Sequence, residues 1–343
     1  MRTKTRSASP PVFKFSAGTS KLKWHSLAFI DVMMTNVSLS SPLPVLCVGA
    51  IHYDTLAHAS EVYCPETSTP AKLTAKPGGV ATNIARTLVR LDIPTGLAGA
   101  IGADGAGASL SKQLTADGIE LYTLERAGFS TGQYIAFHNP DGSLAAASVD
   151  DRVLSEAPAD AFDPIFEALS ASLKTGLWFI DANLPDELLK SVTDQAPEGS
   201  LIANAVSNAK ASRLLPFLSK LHCLMLNRGE ALAMTGKTPV TSSEDLLRDL
   251  QRLGARRVVL TNGKSDVLVL NEEAITAHET LATQIVDVTG AGDALTAGTI
   301  AGLSRGYPLS DAVPLGLRAA AITLKSTGAL AEGLSWDALG NPG

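Results

Sequence analysis

The stretch that indicates most about this chain is Asp287-Val288-Thr289-Gly290-Ala291-Gly292-Asp293-Ala294-Leu295, followed by Thr296-Ala297-Gly298. A Gly-Ala-Gly turn that opens a helix directs successive backbone N–H groups at one point, where the helix dipole also favours negative charge. The turn therefore predicts an anion site. Asp293 follows directly, so its carboxylate can take a proton from a hydroxyl group that attacks a phosphoryl group. The alternative is an ordinary acidic residue at a helix start.

A second element, nearer the N-terminus, is Pro77-Gly78-Gly79-Val80-Ala81-Thr82-Asn83-Ile84-Ala85. Paired glycines permit close approach of the backbone to a ligand, and an amide such as Asn83 offers the donor and acceptor that polyol recognition needs. Asp54 lies just beyond the first apolar run, at the carboxyl end where open α/β sheets bind ligands. These residues predict a site for sugar hydroxyls. A plain helix start is the competing explanation for the diglycine element, and a simple loop acid explains Asp54 equally well when it is taken alone.

The third element is Asn227-Arg228-Gly229-Glu230, which follows the apolar run Cys223–Leu226. Asn227 and Glu230 are three residues apart and fall on one face of a starting helix, so both can address a cluster of magnesium, water and phosphate. Two other segments end like a P-loop, but Ala231 and Val258 stand where its first glycine is required. No G-x-G-x-x-G follows the first apolar run, which removes the main support for a dinucleotide-binding fold.

Short apolar runs alternate with stretches of helical spacing from residue 44 onward, which predicts an α/β fold with a doubly wound, mostly parallel sheet covered on both faces. The predicted strands are Pro44–Ile51, Gly96–Ile101, Leu177–Ile180, Leu201–Asn204, Cys223–Leu226 and Val258–Thr261. The predicted helices are Asn83–Leu91, Gly107–Gly118, Pro185–Ala196, Ala209–Leu218, Glu230–Met234 and Ser243–Leu253.

Two segments break this rhythm, at about residues 56–76 and 119–149, and both are typical of antiparallel β-structure. The second contains the turn signal Asn139-Pro140-Asp141-Gly142. We expect the two segments to pair into one small, discontinuous sheet that acts as a lid and excludes water from a reaction. A small sheet with exposed edges needs cover, so a homodimer formed through it is a further expectation.

Charge is distributed unevenly over the 343 residues, whose formal net charge is −6. Residues 1–43 carry six basic side chains against the single acid Asp31, which leaves −11 for residues 44–343. An acidic body predicts no affinity for nucleic acid. The basic, Ser/Thr-rich head is similar in composition to a transit peptide, and we interpret it as a disordered extension or a start assigned upstream of the true one.

Three classes of feature are missing from the sequence. It has no apolar run of about 18 residues, so no membrane span is predicted. Its three cysteines, Cys47, Cys64 and Cys223, lack C-x-x-C spacing, which argues against a disulfide framework and a zinc site. Scattered thiols favour a reducing, cytoplasmic location.

The three elements, in this order, resemble those of the ribokinase-like (PfkB) carbohydrate kinase family over about residues 44–334, with 335–343 as a tail. The resemblance implies that Asp293 is the catalytic base and that Gly290, Ala291 and Gly292 form the anion hole. It further implies roles for the other two elements: Asp54, Gly78, Gly79 and Asn83 hold the sugar, and Asn227 and Glu230 serve ATP and Mg²⁺. A monovalent cation such as K⁺ near Asp287 is also implied.

The nucleotide-binding strand of that family usually reads T-x-G-x-x-G, and the corresponding residues here are Thr261-Asn262-Gly263-Lys264-Ser265-Asp266. Thr261 and Gly263 match, so the resemblance places them at the nucleotide, whereas Asp266 departs from the last glycine. Ala319–Thr323 and Gly328-Ala329 are similar to the segments that border the adenine pocket.

Several local strings are most similar to those of the pseudouridine kinases within that family. They are Gly78-Gly79-Val80 with Asn83-Ile84-Ala85, Val206-Ser207-x-x-Lys210, Asp181-Ala182-Asn183 and Asp150-Asp151. This likeness implies that Asp151 contributes to substrate binding and that the substrate is pseudouridine. Another sugar or nucleoside kinase, acting on ribose, a ketose or adenosine, is the nearest alternative. A ligand sensor without catalysis is a further one, but a sensor would be expected to lose the base or the anion hole.

Overall fold

The computed structural model describes residues 41–340, so most of the predicted N-terminal extension, residues 1–40, lies outside the described residues. Its strands are, in chain order, β1 Val45–Val48, β2 His52–Ala59, β3 Ala71–Gly78, β4 Thr95–Gly102, β5 Glu120–Arg126, β6 Gly132–His138, β7 Leu144–Asp150, β8 Leu177–Asp181, β9 Leu201–Asn204, β10 Cys223–Asn227, β11 Arg257–Asn262, β12 Ser265–Asn271 and β13 Ala274–His278.

The helices alternate with the strands of the large sheet. They are Val80–Arg90, Gly105–Ala116, Arg152–Ser155, Asp163–Ala168, Ala171–Lys174, Asp186–Gln195, the 3₁₀ helix Ala211–Lys220, Arg228–Thr235, Ser243–Arg252, Ala291–Ser304, Leu309–Thr323 and Trp336–Leu339. None of the helices between residues 41 and 340 is long and apolar enough to cross a membrane.

The large sheet has nine strands in the order β13-β12-β11-β10-β9-β8-β1-β4-β5. The strands from β11 to β5 pair in parallel, whereas at one edge β12 pairs antiparallel with both β11 and β13. Successive side chains of β1 point to opposite faces: Val45 and Cys47 join one buried core, while Leu46 and Val48 join the other. The predicted doubly wound α/β fold is therefore confirmed.

Each of the six predicted strands lies in this sheet, but two details differ. The helix predicted at Ala209–Leu218 is the 3₁₀ helix Ala211–Lys220, which contains Pro216. Pro216 has no N–H group to donate to a preceding carbonyl oxygen, which disfavours a regular α-helix over this segment. The hairpin of β12 and β13 had no counterpart among the predicted elements.

The small sheet has four strands in the order β3-β2-β6-β7. Two antiparallel hairpins, β2 with β3 and β6 with β7, are joined by parallel pairing of β2 with β6. One correction concerns the segment 119–149: its first part, β5, pairs in parallel with β4 at the edge of the large sheet. The strand β5 follows the helix Gly105–Ala116 and thus completes a βαβ unit, so its placement obeys the rhythm of the large sheet.

The chain end also packs on the domain. Residues 335–343 were expected to be a tail, but the helix Trp336–Leu339 buries Leu339, and the Arg305 guanidinium lies 3.6 Å from the centre of the Trp336 ring. An aromatic face attracts such a cation. Apolar and cation–π contacts therefore extend the folded unit past residue 334.

Close packing of two helices fixes the position of Asp293. The helices Ala291–Ser304 and Leu309–Thr323 meet through small residues, and a Cβ atom on Gly298 would lie 2.8 Å from Gly316 Cα. Because the backbones approach so closely, the first turn of Ala291–Ser304 is held rigidly. The site described below lies where this turn meets the carboxyl ends of the parallel strands.

Candidate active site

Gly290 and Gly292 give the turn before Asp293 its shape. Gly290 caps the helix Ala291–Ser304 with φ 77°, and a Cβ atom on it would lie 2.4 Å from Ala329 Cα. Only glycine fits there, since L side chains disfavour positive φ and the space is already filled. Nothing lies within 4 Å of the Cβ position of Gly292, so the backbone there faces open space. An anion can therefore reach the N–H groups of this turn.

Asp293 lies in the first turn of that helix and is partly buried. Burial raises the pKa of its carboxyl group to about 7, and a hydrogen bond from Asn83 Nδ2 to Asp293 Oδ2, at 2.9 Å, opposes the rise. Three further carboxylates, those of Asp181, Asp54 and Glu230, raise the pKa further by repulsion. A base with a pKa near neutrality is well matched to proton transfer at physiological pH.

Asn83 therefore has a partner that its sequence context did not indicate. It was predicted to hold sugar hydroxyls, and its side-chain amide donates to the carboxylate of Asp293. The bond brings the two glycine-containing elements together, although 210 positions separate their residues. The structure thus joins the predicted sugar site to the predicted base.

Asp181, at the end of β8, holds the start of the helix Val80–Arg90. Its side chain is fully buried and accepts hydrogen bonds from the backbone N–H groups of Ala81 at 2.9 Å, Ala50 at 3.3 Å and Asn183 at 3.0 Å. Burial raises the pKa of this carboxyl group, and the three bonds oppose the rise. Neighbouring loops are fixed by this one carboxylate, which belongs to the string Asp181-Ala182-Asn183 but was not predicted as a site residue.

The glycines of the diglycine element accommodate protein atoms. A Cβ atom on Gly78 would lie 2.0 Å from the carboxylate of Asp54, and one on Gly79 would lie 2.4 Å from the carbonyl oxygen of Ala50. Gly79 also has φ 95°. The two glycines were predicted to admit a ligand, and in the structure the space beside them is occupied by Asp54 and by Ala50, which follows β1.

Asp54 is held against Gly78 in a largely buried place. Burial raises the pKa of its carboxyl group to about 6, and the charge of Lys76 opposes the rise. Its Oδ1 atom is buried and has no hydrogen-bond partner among the described residues. A buried acceptor without a partner costs free energy, so it is suited to accept a hydrogen bond from a ligand hydroxyl group.

Asn227 and Glu230 form a capping box at the start of the helix Arg228–Thr235. Asn227 Oδ1 accepts from the Glu230 N–H group at 3.0 Å, and Glu230 Oε2 accepts from the Asn227 N–H group at 2.8 Å. The spacing that predicted a phosphate and magnesium cluster therefore also has a structural cause. One carboxylate oxygen of Glu230 is not used by the cap, and burial raises the pKa of the group.

A cavity of about 200 Å³ lies between these elements. Its polar lining residues are Asn204, Asn227, Glu230, Thr261, Asp293 and Thr296. Asn204 and Thr296 were not predicted; Asn204 Nδ2 donates to Thr296 Oγ1 at 3.4 Å. Gly263 lies in the turn between β11 and β12 with φ 59° and no atom within 4 Å of its Cβ position. Thr261 thus faces the cavity, while Gly263 leaves an open surface beside it.

Asp151 belongs to a second polar cluster at the base of the small sheet. Lys210 Nζ lies 3.2 Å from Asp151 Oδ2 and donates to Asn183 Oδ1 at 2.7 Å. His52 is buried, and its Nε2 atom has no partner among the described residues. Burial lowers the pKa of His52 to about 4; Asp151 opposes this, and Lys210 adds to it. His52 is therefore neutral at pH 7, and its ring can donate or accept one hydrogen bond.

The side chains do not form a metal site by themselves. Between residues 41 and 340, no three His, Cys, Asp or Glu residues are grouped closely enough to hold an ion. Mg²⁺ in phosphoryl-transfer sites is commonly bound by one or two carboxylates together with phosphate oxygens and water. The unused oxygen of Glu230 fits that kind of ligand set.

The chain was compared with known proteins. Residues 44–336 match the pfkB family of carbohydrate kinases. The pseudouridine kinase of Escherichia coli (strain K12) is 27% identical over 276 residues, covering 78% of this chain and 86% of that protein. The pseudouridine kinase of Arabidopsis thaliana is 24% identical and covers 82% and 90%. An ATP-dependent 6-phosphofructokinase of Thermoanaerobacterium thermosaccharolyticum is 26% identical and covers 74% and 81%.

The solved structures agree with these matches. A carbohydrate kinase from Agrobacterium tumefaciens superposes with a TM-score of 0.75 at 28% sequence identity. The superposition covers 86% of this chain and 95% of that one. The fold and the order of the sequence elements therefore lead to the same group of proteins.

Proposed function

Because the chain belongs to the pfkB family of carbohydrate kinases, we propose that it transfers the terminal phosphoryl group of ATP to the 5′-hydroxyl of pseudouridine. The product is pseudouridine 5′-phosphate. The family match makes the chain a phosphotransferase with an alcohol group as acceptor. The nucleoside, the metal ions and the role of each residue are our proposal.

Asp293 is the proposed base, and the observation that carries this is the combination of its pKa of about 7 with its place beside the Gly290–Gly292 turn. Its carboxylate takes the proton of the acceptor hydroxyl group as the oxygen attacks phosphorus. The N–H groups of the turn stabilise the negative charge on the transferring group. Asn83 keeps the carboxylate in place through its hydrogen bond.

The residues present fit ATP and Mg²⁺. Gly292 leaves open space for phosphate at a helix start, and Glu230 has one free oxygen at the cavity that Asn227 and Thr261 also line. Bound Mg²⁺ would neutralise phosphate charge during transfer. Asp287 would lie beside a K⁺ ion, although its two oxygens already accept from the N–H groups of Thr289 and Gly328, both at 2.8 Å.

Asp54 and the cluster of Asp151, Lys210, Asn183 and His52 support a nucleoside acceptor. Asp54 offers its unpartnered oxygen to a sugar hydroxyl group, and the cluster offers donors and acceptors to a base with an imide edge. A bare pentose would leave the cluster without such a partner. The similarity to two pseudouridine kinases supports the same choice.

A panel of acceptors tests this proposal. We expect kcat/KM for pseudouridine to exceed the values for uridine, cytidine, adenosine, ribose and fructose 6-phosphate by about tenfold or more, since unmatched buried polar groups disfavour the wrong ligand. ATP consumption coupled to ADP release measures all of them. A clear preference for another acceptor would identify a different kinase of the family. No turnover with any of them would favour a ligand sensor.

We also propose that two copies associate through the small sheet. Its strands β3 and β7 form the edges, and the exposed side chains of Leu73, Leu144 and Val149 are apolar. An open edge with apolar side chains is a surface that proteins usually cover. Light scattering should give the mass of a dimer for the unaltered protein and of a monomer for Leu73→Asp. A monomeric mass for the unaltered protein would refute this part of the proposal.

A further inference from the structure

Lys76 reaches from the small sheet to the loop that supports the anion turn. It lies on β3, directly opposite Asp54 on β2. The preceding residues of β3, 71–75, are exposed, whereas Lys76 is partly buried. Its Nζ atom lies 2.7 Å from the position that a Cβ atom on Gly328 would take. The side chain thus spans from the small sheet to the loop that contains Gly328.

Gly328 connects this ammonium group to the turn. The Gly328 N–H group donates to Asp287 Oδ2 at 2.8 Å, and the adjoining Ala329 packs against Gly290. The charge of Lys76 contributes to lowering the pKa of Asp287 and opposes the rise in the pKa of Asp54. Lys76 therefore lies between the predicted acceptor site and the predicted phosphate site.

The charges around the cleft indicate what a cation at this position could do. Asp54, Asp181 and Glu230 all repel the charge of Asp293, so the cleft is strongly acidic, whereas a phosphate donor is an anion. Lys210 is engaged with Asp151. Among the ion pairs within residues 41–340, none includes Lys76. A half-buried ammonium group that is near carboxylates but forms no direct ion pair with one among the described residues is suited to bind an anionic ligand.

We propose that the ammonium group of Lys76 binds the γ-phosphate of the nucleotide held at the Gly290–Gly292 turn. The small sheet then supplies the cationic half of the anion site, opposite the backbone N–H groups of the helix start. The inference rests on the proposed function insofar as it assumes a nucleoside triphosphate donor. Because Lys76 lies opposite Asp54 in the β2–β3 register, one pair of strands would contact both donor and acceptor.

Calorimetric binding of two nucleotides tests this without any acceptor. We expect Lys76→Met to weaken binding of adenylyl imidodiphosphate, a non-hydrolysable ATP analogue, by at least about tenfold, because a charge-assisted hydrogen bond is lost. ADP has no γ-phosphate, so its binding should change less than about twofold. Lys76→Arg keeps the charge and should recover most of the lost affinity. Added salt should weaken binding of the analogue more in the unaltered protein than in Lys76→Met.

Lys72→Met is the matched control. Lys72 lies on the same strand and the same face, opposite His58, but is exposed at the far end of the sheet. We expect its nucleotide affinities to equal those of the unaltered protein. Equal losses for the analogue and ADP in Lys76→Met, or equal behaviour of the two variants, would overturn the inference.

The proposal of pseudouridine as the substrate and the proposal for Lys76 are contradicted by different results. A protein that binds the analogue through Lys76 but does not phosphorylate pseudouridine contradicts the substrate alone. A protein that phosphorylates pseudouridine and whose Lys76→Met variant keeps its preference for the analogue contradicts the lysine alone. If Lys76→Met unfolds below the assay temperature, the comparison of Lys76→Arg with Lys76→Gln provides the same readout.

Discussion

Two helices in the described part of the chain begin after a glycine with positive φ, and the surroundings of the two glycines differ. Gly79 precedes the helix Val80–Arg90 with φ 95°, and Gly290 precedes the helix Ala291–Ser304 with φ 77°. At the first helix, Asp54 fills the space beside Gly78 and Ala50 fills the space beside Gly79. At the second, Gly290 is also packed, but Gly292 faces open space.

The comparison shows that glycine at a helix start can have two different roles. At residues 78–79 it makes room for the protein's own carboxylate, that of Asp54, and so fixes the proposed acceptor site. At residue 292 it keeps a backbone N–H group accessible to an anion. The hydrogen bond from Asn83 to Asp293 joins the two helix starts, so a change at one should be detected at the other.

The largest effect is expected from Asp293→Asn, which keeps the shape of the second helix start and removes its base. We expect kcat to fall by a factor of about 10²–10⁴, as for loss of a positioned acid–base group. The control is Asp311→Asn, in the exposed first turn of the helix Leu309–Thr323, which should keep full activity. Near-normal turnover in a folded Asp293→Asn protein would remove Asp293 from the mechanism.

The same variant should be more stable than the unaltered protein, and the sign follows from the pKa of Asp293. Its folded-state pKa of about 7 exceeds the ordinary value of 3.8, so ionising the carboxyl group opposes folding. The penalty grows as the pH rises from about 4 and is complete above about 7. We expect the Asp293→Asn substitution to raise Tm by about 2 °C or more at pH 8, and to leave it unchanged at pH 4. Equal Tm differences at the two pH values, measured by thermal unfolding, would contradict this linkage.

Alanine substitutions at Gly292, which faces open space, and at Gly78, which faces Asp54, test the comparison of the two helix starts directly. Gly292→Ala meets no protein atom, so Tm should change by less than about 2 °C while kcat falls by about tenfold or more, because the methyl group occupies phosphate space. In Gly78→Ala the methyl group would overlap Asp54, so both Tm and acceptor affinity should fall. Thermal unfolding and steady-state kinetics separate the two patterns. If both variants lose Tm equally, the contrast between filled and open space is wrong.

A smaller effect is expected from Asn83→Ala, which breaks the bond between the two helix starts. The amide stabilises the ionised form of Asp293, so its loss should raise the pKa of the base above about 7. The limb of log kcat against pH that rises toward neutrality should therefore move to higher pH, with a loss of about tenfold at pH 7. An unchanged pH profile would show that Asn83 does not tune Asp293.

The parts of the fold that depend on local pattern could be predicted from the sequence. Parallel strands buried on both faces read as apolar runs, so all six predicted strands were found. The small sheet was predicted because its segments lack that pattern, but β5 was assigned to it wrongly. Its burial is only partial at an edge of the large sheet, so its sequence does not differ from that of a half-exposed hairpin strand.

The residues of the candidate site could be selected from the sequence where one local motif carries them, as at Asp293 and Gly290. The bond between Asn83 and Asp293, the three N–H groups held by Asp181 and the reach of Lys76 to Gly328 join distant segments. Such contacts depend on how the layers pack, and no local spacing encodes them. An acid after a strand or a lysine in a strand is too common in sequences to indicate a site.

Glu230 offers the smallest effect and extends the comparison to a third helix start, where a capping box takes the place of glycine. Glu230→Gln keeps an oxygen that accepts from the Asn227 N–H group, so the cap and Tm should be preserved within about 2 °C. The lost charge should instead raise the Mg²⁺ concentration for half-maximal activity by about threefold to tenfold, since Mg²⁺ prefers carboxylate oxygens. Asn227→Ala removes the cap acceptor for Glu230 N–H and should lower Tm, because losing an N-cap costs about 1 kcal/mol. An unchanged Mg²⁺ requirement in Glu230→Gln would assign Glu230 to the cap alone and leave phosphate oxygens and water as the ligands of the ion.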